Sequence, residues 1–490
     1  MSETIAIVGA GICGMCTGLA LAKRGHKVTL YERDSPPPAG DADQAFFDWN
    51  RLGAAQFRHP HAFLGLMCSL LEERYPDLVE DFYEAGARRV EFTDLLSSQQ
   101  LSRYIPQAGD EKLWLLLCRR ATMETVLRRY VVRLNNVEIV SNCSVEQVLA
   151  EKAHGAIRVR GIRISRDGVE SDVPADVVID ASGRTSRFRH WFSGLGVAIP
   201  EEKDDAGIVY YTRHYKLAPG VKEPVRNSHS PSSGDIGYLK FGVFPGDNGH
   251  FAVILCVPVN EETLKQAIRD GDTFDRVCRH IPGLLPWLEP GKSIPTTDSF
   301  GIGDIHSVWR HYVVDGVPVA HNFFAVGDAA LRTNPLYGRG CSTGIWHAHL
   351  LAGLLDEVTE PAERARRFDA ITEAELRPIF KASLSEDQRG IRRALAVMDG
   401  DLLDRPDTFR KWFRLAFADA LSAASKEDVR VLRGAMRTFN LLEKPGEFLN
   451  DWNIRLTVLR YMLRGRKRNT AQRRRRGPSR GEMLALIQQA

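Results

Sequence analysis

The chain has 490 residues, with 66 basic and 62 acidic side chains and a formal net charge of +4. This length is too great for one hydrophobic core, and the small net charge argues against a nucleic-acid enzyme. No apolar stretch reaches about 18 residues, and the N-terminus lacks a signal-peptide pattern. Eight irregularly spaced cysteines suit a reducing compartment, so we expect a cytoplasmic protein.

A glycine-rich turn follows the first β-rich run. Residues 5–8 lead into Gly9, Gly11 and Gly14, and Glu32 closes the next apolar run. In a dinucleotide site, such glycines permit a tight turn, a close backbone approach to the pyrophosphate, and packing of the next helix on the strand. A glutamate at this spacing accepts a hydrogen bond from a ribose hydroxyl. The segment therefore predicts a dinucleotide site with a helix N-terminus facing the phosphates.

A Cys-x-x-Cys pair, Cys13 and Cys16, lies inside this turn. Zinc or redox chemistry there would compete with the phosphates for the same backbone. We therefore interpret both cysteines as small packing residues and predict no metal site.

Between the first and last glycine segments, the pattern changes several times. Residues 46–106 have a helical pattern, and Leu113–Tyr130 also reads as a helix. Val177–Asp180 forms a second β-rich run that ends in Ala-Ser-Gly-Arg, which includes Gly183. Residues 192–299 are β-rich with turn-forming loops, which predicts an antiparallel sheet that covers the substrate side of the ligand.

The third glycine segment separates FAD from a nicotinamide. Residues 322–326 lead into Gly327 and Asp328, and Pro335-x-x-Gly338-x-Gly340 follows. FAD is long, so its ribityl chain reaches a strand contributed late in the sequence, where Asp328 is placed to bind a hydroxyl. The two later glycines bring bare backbone to the flavin, and a helix predicted from about Ser342 to Leu355 points its N-terminus at the ring.

We therefore predict an α/β protein whose FAD-binding domain is Rossmann-like, of the glutathione-reductase type, and discontinuous. Its segments are 1–45, 107–190 and 300–355; a helical insertion near the flavin covers 46–106, an antiparallel β substrate domain 191–299, a C-terminal helical region 356–463, and a basic tail 464–490.

These motifs resemble those of the FAD-dependent monooxygenases of the aromatic-hydroxylase fold, and most closely the branch of the lasalocid-type polyether epoxidases. The resemblance extends to about residue 465. The matching stretches are 56–61 (Gln-Phe-Arg-His-Pro-His), 120–129, 176–191, 243–245 and 327–340.

The resemblance implies roles for individual residues. Arg58 and His61 form an Arg-x-x-His element beside the isoalloxazine ring, where they position oxygen or the flavin, and Arg120 contacts the ribose–pyrophosphate part of FAD. Arg120 as a solvated charge and His61 as an ordinary core histidine are the alternatives. The full set predicted to bind the cofactor is Gly9, Gly11, Gly14, Glu32, Arg33, Arg120, Gly183, Gly327, Asp328, Pro335, Gly338, Gly340 and Cys341.

Two features depart from the aromatic hydroxylases. They usually carry Asp-Gly where this chain has Ser182-Gly183, which favours the epoxidase-like branch. The sequence has no second Gly-x-Gly-x-x-Gly motif after a strand. NAD(P)H is therefore expected to bind transiently rather than in a dinucleotide-binding fold of its own. Cys341 follows the ring-contacting glycines; we expect it to pack against the flavin, with a covalent thioether as the alternative.

The expected function is therefore epoxidation or hydroxylation of a lipophilic small molecule through a flavin hydroperoxide, with NAD(P)H and O2 as co-substrates. The first alternative is an alkene reductase of the geranylgeranyl type, although only Phe244-Pro245 of its signature is present. A flavin-dependent halogenase is the second, and the chain lacks that group's Trp-x-Trp-x-Ile-Pro motif. A non-catalytic flavoprotein is the third.

The basic tail admits two interpretations. Residues 464–480 contain eight arginines and one lysine. Like charges repel, so we expect a solvated and partly disordered tail. The alternative is a weak contact with an anionic membrane, in which the apolar residues of 454–463 would line one helix face.

Overall fold

The computed structural model describes residues 2–153, 156–226, 230–400, 406, 408–470 and 477–488, and it has a mixed α/β architecture. Within these residues, no helix combines the length and the apolar character needed to cross a bilayer.

The described helices are α1 (Ile12–Ala22), α2 (Ala42–Asp48), α3 (Gly65–Arg74), α4 (Pro76–Glu84), α5 (Ser98–Leu101), α6 (Arg120–Val131), α7 (Phe188–Gly194), α8 (Glu262–Ala267), α9 (Gly271–Arg279), α10 (Leu285–Leu288), α11 (Gly340–Glu357), α12 (Pro361–Met398), α13 (Phe409–Glu427), α14 (Val429–Phe439), α15 (Trp452–Arg464), α16 (Arg466–Thr470) and α17 (Arg480–Gln488). The longest described helices are α11, α12 and α13.

The strands lie between residues 4 and 332. They are β1 (Thr4–Val8), β2 (Lys27–Tyr31), β3 (Arg88–Val90), β4 (Leu115–Leu117), β5 (Val137–Val140), β6 (Cys143–Ala153), β7 (Ala156–Arg166), β8 (Val169–Pro174), β9 (Val177–Asp180), β10 (Glu201–Asp205), β11 (Ile208–Leu217), β12 (Ser233–Asp235), β13 (Lys240–Pro245), β14 (His250–Pro258), β15 (Ser293–Pro295), β16 (Phe300–Ile302), β17 (His306–Arg310), β18 (Val313–Val314), β19 (Val317–Pro318), β20 (Phe323–Ala325) and β21 (Leu331–Arg332).

The chain divides into two compact units. The first contains residues 1–87, 118–205 and 306–384, and the second contains residues 88–117, 206–305 and 385–490. The segment expected as one helical insertion, 46–106, is therefore divided between the units, and it includes the short strand β3. The domain boundaries given above remain predictions.

A five-stranded parallel sheet organises the first unit, in the order β20-β9-β1-β2-β5. Four of its strands, β1, β2, β9 and β20, come from the three glycine segments. The side chains of β9 and β20, and those of β1 after Thr4, are buried, as expected for strands covered on both faces. The carboxyl ends of parallel strands lie at one edge, so this sheet brings the turns after Val8, Asp180 and Ala325 together.

Two antiparallel sheets complete the first unit, β6-β7-β8 and β10-β17-β21, besides the small β18-β19 hairpin. A cluster that includes Phe188, Phe192 and Phe323 packs beneath the parallel sheet; the ring centroids of Phe188 and Phe323 are 4.8 Å apart.

The second unit contains a six-stranded sheet with the path β12-β13-β14-β11-β15, and β16 also pairs with β11. All six strands pair antiparallel, in agreement with the pattern of residues 192–299. Every side chain of β14 is buried.

The last described residues of the tail pack into a hydrophobic core. Residues 471–476 lie outside the described part, but residues 477–488 pack onto the second unit. Met483 is fully buried in the core that contains Phe251 and Trp287. The Tyr238 hydroxyl donates to the Pro478 carbonyl at 3.0 Å, and Arg480 pairs with the buried Glu261 at 2.5 Å.

We expect Met483→Ala to lower the free energy of unfolding by about 2–5 kcal/mol, because the substitution leaves a cavity in a packed core. Leu463→Ala is the control: Leu463 is 82% exposed, so its loss should change stability by less than about 0.5 kcal/mol. Urea denaturation followed by tryptophan fluorescence measures both variants. Equal stability of the two would show that α17 does not dock.

Candidate functional site

The turn between β1 and α1 can be formed only with glycine at two positions. Gly9 has φ +101°, and a Cβ added there would lie 2.7 Å from the Ala181 carbonyl oxygen. A Cβ on Gly14 would lie 2.0 Å from the Gly9 oxygen. Gly11, the residue before α1, provides no side chain that caps the helix. The first amides of α1 therefore remain available to an anion.

Glu32 follows β2 and faces this turn. Its Oε2 accepts a hydrogen bond from the Ala10 amide at 3.0 Å, and its Oε1 accepts from the Asp34 amide at 3.1 Å. Arg51 Nη1 lies 3.0 Å from Oε2. A carboxylate offers about four acceptor positions, so one position on Oε1 remains for a ribose hydroxyl. Arg33, beside it, has a side chain that is 48% exposed.

Arg51 is a buried cation that the sequence motifs did not reveal. Its Nη1 lies 2.7 Å from Asp34 Oδ2, its Nε lies 2.9 Å from Glu124 Oε2, and its Nη2 donates to the Ala10 carbonyl at 3.2 Å. Burial disfavours the charge of Arg51, but the surrounding carboxylates outweigh burial and raise its pKa. Arg51 is a single arginine in a segment with a helical pattern, so no motif spacing in the sequence marks it as a site residue.

Arg120 begins α6 and connects this cluster with His61. Its Nε donates to Glu124 Oε1 at 2.5 Å, and its Nη1 lies 3.0 Å from His61 Nε2. Burial would raise the pKa of Glu124, but Arg120 and Arg51 outweigh it and lower that pKa. Arg120 is therefore a buried, fully engaged group rather than a solvated helix charge.

His61 is held as a neutral imidazole. Its Nδ1 lies 2.9 Å from the His59 carbonyl oxygen and can only donate there, so Nε2 accepts from Arg120. Burial, followed by the nearby Arg120, lowers the pKa of His61 to about 3. Both ring nitrogens are therefore occupied, and His61 orients Arg120.

Arg58 contacts the end of a nearby helix. Its Nε and Nη2 donate to the carbonyls of Phe46 and Phe47, at 3.2 and 2.7 Å, near the C-terminus of α2. A cation is favourable at that end of a helix. The role of Arg58 beside the flavin ring stays a prediction.

Asp328 lies in the turn after β20. Its carboxylate accepts no hydrogen bond from any described residue, although Arg332, Arg120 and other arginines lie near it. Burial raises the pKa of Asp328 despite these cations. A hydroxyl donor from a ligand would satisfy this carboxylate. The amide of Gly327 donates to His347 Nδ1 at 3.3 Å, and an added Cβ on Gly327 would lie 2.7 Å from Cys13 Sγ.

His347 is a second residue that sequence reasoning missed. It lies on α11, is stacked on Phe368 and donates from Nε2 to the Thr372 hydroxyl at 3.0 Å. Burial lowers its pKa to about 3. Its neutral ring therefore fixes the Gly327-Asp328 turn against α11.

The loop 335–340 forms a short 3-10 turn at Pro335–Tyr337 and then enters α11. Gly338 has φ +67°, and a Cβ there would lie 3.0 Å from the Cβ of Ala62, the neighbour of His61. A Cβ on Gly340 would lie 3.8 Å from Asp328 Oδ1. No side chain caps α11, so its first amides are available to a ligand.

Cys341 and the turn that carries Gly183 complete the set of predicted site residues, and Cys13 belongs to the Cys-x-x-Cys pair of the first glycine segment. Burial raises the pKa of Cys13 to about 12 and that of Cys341 to about 11, which disfavours thiolate chemistry at either residue. Gly183 begins a 3-10 turn fixed by Asp180, whose Oδ1 accepts from the Ser182 amide at 3.0 Å and the Ser182 hydroxyl at 2.5 Å. No group of metal-binding side chains was found among the described residues.

Comparison with known proteins supports a flavin site. Residues 4–45 match the family described as FAD dependent oxidoreductase. Among curated proteins, the chain is 25% identical to Protein Rv3254 of Mycobacterium tuberculosis over 373 residues, which covers 71% of this chain and 72% of that protein.

Solved structures share the fold at low identity. PqsL of Pseudomonas aeruginosa, a probable FAD-dependent monooxygenase, is 17% identical with a TM-score of 0.56, covering 81% of this chain and 100% of PqsL. p-Nitrophenol 4-monooxygenase PnpA of Pseudomonas putida DLL-E4 is 16% identical with a TM-score of 0.58, covering 91% and 99%. The flavin-dependent brominase Bmp2 is 17% identical with a TM-score of 0.52, covering 96% and 98%. The fold is that of flavin-dependent proteins with several chemistries.

Gly14→Ala should abolish retention of FAD, because a Cβ 2.0 Å from the Gly9 oxygen forces the turn to move. Overpacking of this kind costs about 1–3 kcal/mol, so the fold should survive in weakened form. Gly18→Ala on the same helix is the matched control, since its Cβ meets only the flexible Leu30 side chain at 3.2 Å. The FAD-to-protein ratio and circular dichroism separate loss of binding from loss of fold. Equal FAD content in the two variants would contradict the assignment of this turn.

The stability of the protein should fall as the pH drops below about 6.5. Histidines with a pKa near 3 stay neutral when folded, whereas unfolded histidines bind protons below about 6.5. Between pH 6.5 and 5, each such histidine should remove about 2 kcal/mol of stability. The amide of a glutamine can make both hydrogen bonds of His347. His347→Gln should therefore reduce the loss of stability between pH 6.5 and 5 by about 2 kcal/mol. Urea titrations at the two pH values measure it, and an unchanged pH dependence would show that His347 is already protonated or exposed.

Proposed function

We propose that this chain is an FAD-dependent monooxygenase that transfers one oxygen atom from O2 to a lipophilic small molecule, as an epoxide or a hydroxyl. NAD(P)H is the proposed transient reductant. The family match and the monooxygenases among the fold's neighbours support the flavin and the reaction class. The observation that carries the proposal is the convergence of Asp328, the uncapped N-terminus of α11, and the Gly338–Ala62 contact beside His61.

The residues present fit FAD. The turn from Gly9 to Gly14 would hold the pyrophosphate, and the free position on Glu32 would accept a ribose hydroxyl. Asp328, without a hydrogen-bond donor among the described residues, would accept a ribityl hydroxyl. The backbone from Pro335 to Cys341 would contact the ring, and Arg33, Arg120, Gly183 and Gly327 would line the cofactor between its two ends. When bound, FAD supplies hydride acceptance and the transfer of one oxygen atom.

The protein's contribution in this proposal is positioning and electrostatics. Arg120 and the N-terminus of α11 supply positive potential on the same side of the site, which favours negative charge developing on a reacting group. The neutral His61 accepts a hydrogen bond from Arg120 and cannot deliver a proton without losing its contact with the His59 carbonyl. We therefore assign His61 as a positioning residue and propose no protein acid or base.

The epoxidase-like branch remains the preferred subgroup because Ser182 occupies the place of the usual aspartate. Its side chain contributes to the Asp180 hydrogen bonds, which shape the turn carrying Gly183. Alkene reduction is the second candidate function. Halogenation is the third, because the flavin-dependent brominase Bmp2 shares the fold.

Isotope labelling distinguishes these chemistries. We expect the product formed under labelled O2 to gain one labelled oxygen, and NAD(P)H consumption to match product formation when the true substrate is present. A product that is two hydrogens heavier, unlabelled and formed equally well without air would instead identify a reductase. Bromide-dependent product would identify a halogenase.

His61→Ala should leave FAD bound but lower coupled product formation about tenfold, because loss of a hydrogen bond to a charged group is worth about 1.5–3 kcal/mol. NAD(P)H oxidation should then release more hydrogen peroxide. His61→Gln, which can still accept from Arg120, should recover part of the coupling. His190→Ala, at an exposed position of the same unit, is the control. Full coupling in His61→Ala would remove the assigned role.

A further inference from the structure

Helix α15 is apolar on two opposite faces. Ile454 and Val458 are buried on one face, in a cluster with Ala420, Ala424 and Val431. The other face carries Trp452, Leu456, Leu459 and Leu463, which are 66%, 44%, 50% and 82% exposed. A surface helix ordinarily carries polar residues opposite its core face.

The four exposed residues form one continuous row. Their spacings of four, three and four residues place them within one narrow sector of the helix, since an α-helix advances about 100° per residue. Scattered exposed leucines are ordinary, but a row of four that includes tryptophan marks an interaction surface. We call these four residues the exposed row.

Cationic side chains flank the exposed row. Arg455 lies on one side of it and Arg460 on the other, each about 70° from the centre of the row, and both are exposed. Arg455 also donates to the carbonyl of Leu449, which leaves its charge unchanged. From Trp452 to Gly481 the chain has eleven basic residues and no acidic one.

We propose that the exposed row of α15 docks on an anionic lipid surface, with the helix lying in the headgroup plane. Leucine and tryptophan enter the acyl boundary, while the flanking arginines contact lipid phosphates. The positive charge of this segment favours an anionic lipid surface over a second copy of the chain, because a second copy would bring two strongly cationic segments together. The surface goes beyond the proposed oxygen transfer and does not depend on it.

The proposal places the contact on α15 rather than on the arginine-rich tail as a whole. In the described part of the tail, Arg464 pairs with Glu427, Arg466 with Asp419 and Arg480 with Glu261, so these charges are already partly balanced. The exposed row is apolar and requires no charge partner. It supplies an apolar contact with the lipid, which arginines paired with carboxylates cannot supply alone.

Co-sedimentation of the full chain with vesicles tests this surface. We expect binding to vesicles of phosphatidylcholine mixed with phosphatidylglycerol, and at least about tenfold weaker binding to phosphatidylcholine alone. Raising NaCl from about 0.1 M to about 1 M shortens the Debye length from about 10 to 3 Å and should weaken binding similarly. Leu456→Ser combined with Leu459→Ser should abolish binding at both salt concentrations.

Val169→Ser combined with Val317→Ser is the matched control, since these residues are 68% and 67% exposed elsewhere, and it should bind as the wild type does. Circular dichroism and FAD content confirm that the variants are folded. Two outcomes overturn the proposal: vesicle binding that survives in the Leu456/Leu459 variant, or no binding to anionic vesicles at low salt. A vesicle-free oligomer that the same variant dissociates would identify a second copy as the occupant instead.

Discussion

The candidate site of the first unit depends on one buried cation. Arg51 lies within 3.0 Å of Glu32, Asp34 and Glu124, and these three carboxylates come from the turn after β2 and from α6. Removing one partner from a buried ion cluster typically costs about 3–5 kcal/mol, because the remaining charges stay desolvated. Segment 51–62 is a loop with little regular structure, so this cluster, rather than secondary structure, determines where it lies.

The cluster extends into a continuous series of contacts. Glu32 contacts Arg51, Arg51 contacts Glu124, Glu124 contacts Arg120, and Arg120 contacts His61. The series begins at the turn predicted to bind the adenosine ribose and ends beside Ala62, against which Gly338 packs. Two parts of the chain that would contact opposite ends of one long cofactor are thereby held in a fixed relation. Glu32, Arg51, Glu124 and Arg120 are buried, so water cannot replace a missing contact among them at low cost.

The sequence predicted the parts of this site that backbone geometry specifies. Gly9, Gly14 and Gly338 occupy positions where a side chain would collide or the backbone is left-handed, and such positions leave a glycine in the sequence. Side-chain contacts between distant segments leave no spacing pattern, so Arg51 and His347 were missed. The role of Arg58 was inferred from a family resemblance, and its contacts with the carbonyls at the end of α2 could not be read from the sequence. The charge of the tail is visible in the sequence, whereas the hydrophobic core that accepts Met483 is formed by residues distant in the sequence and leaves no local pattern.

The contact between Ala62 and Gly338 has a consequence for how this protein can change over evolution. With only 3.0 Å between the Ala62 Cβ and the position of a Cβ on residue 338, neither residue can enlarge while the other stays in place. A larger side chain at 62 would displace the loop before α11, and a side chain at 338 would displace His61 through its neighbour. Among related chains, these two positions should therefore vary together or not at all, even though they are far apart in sequence.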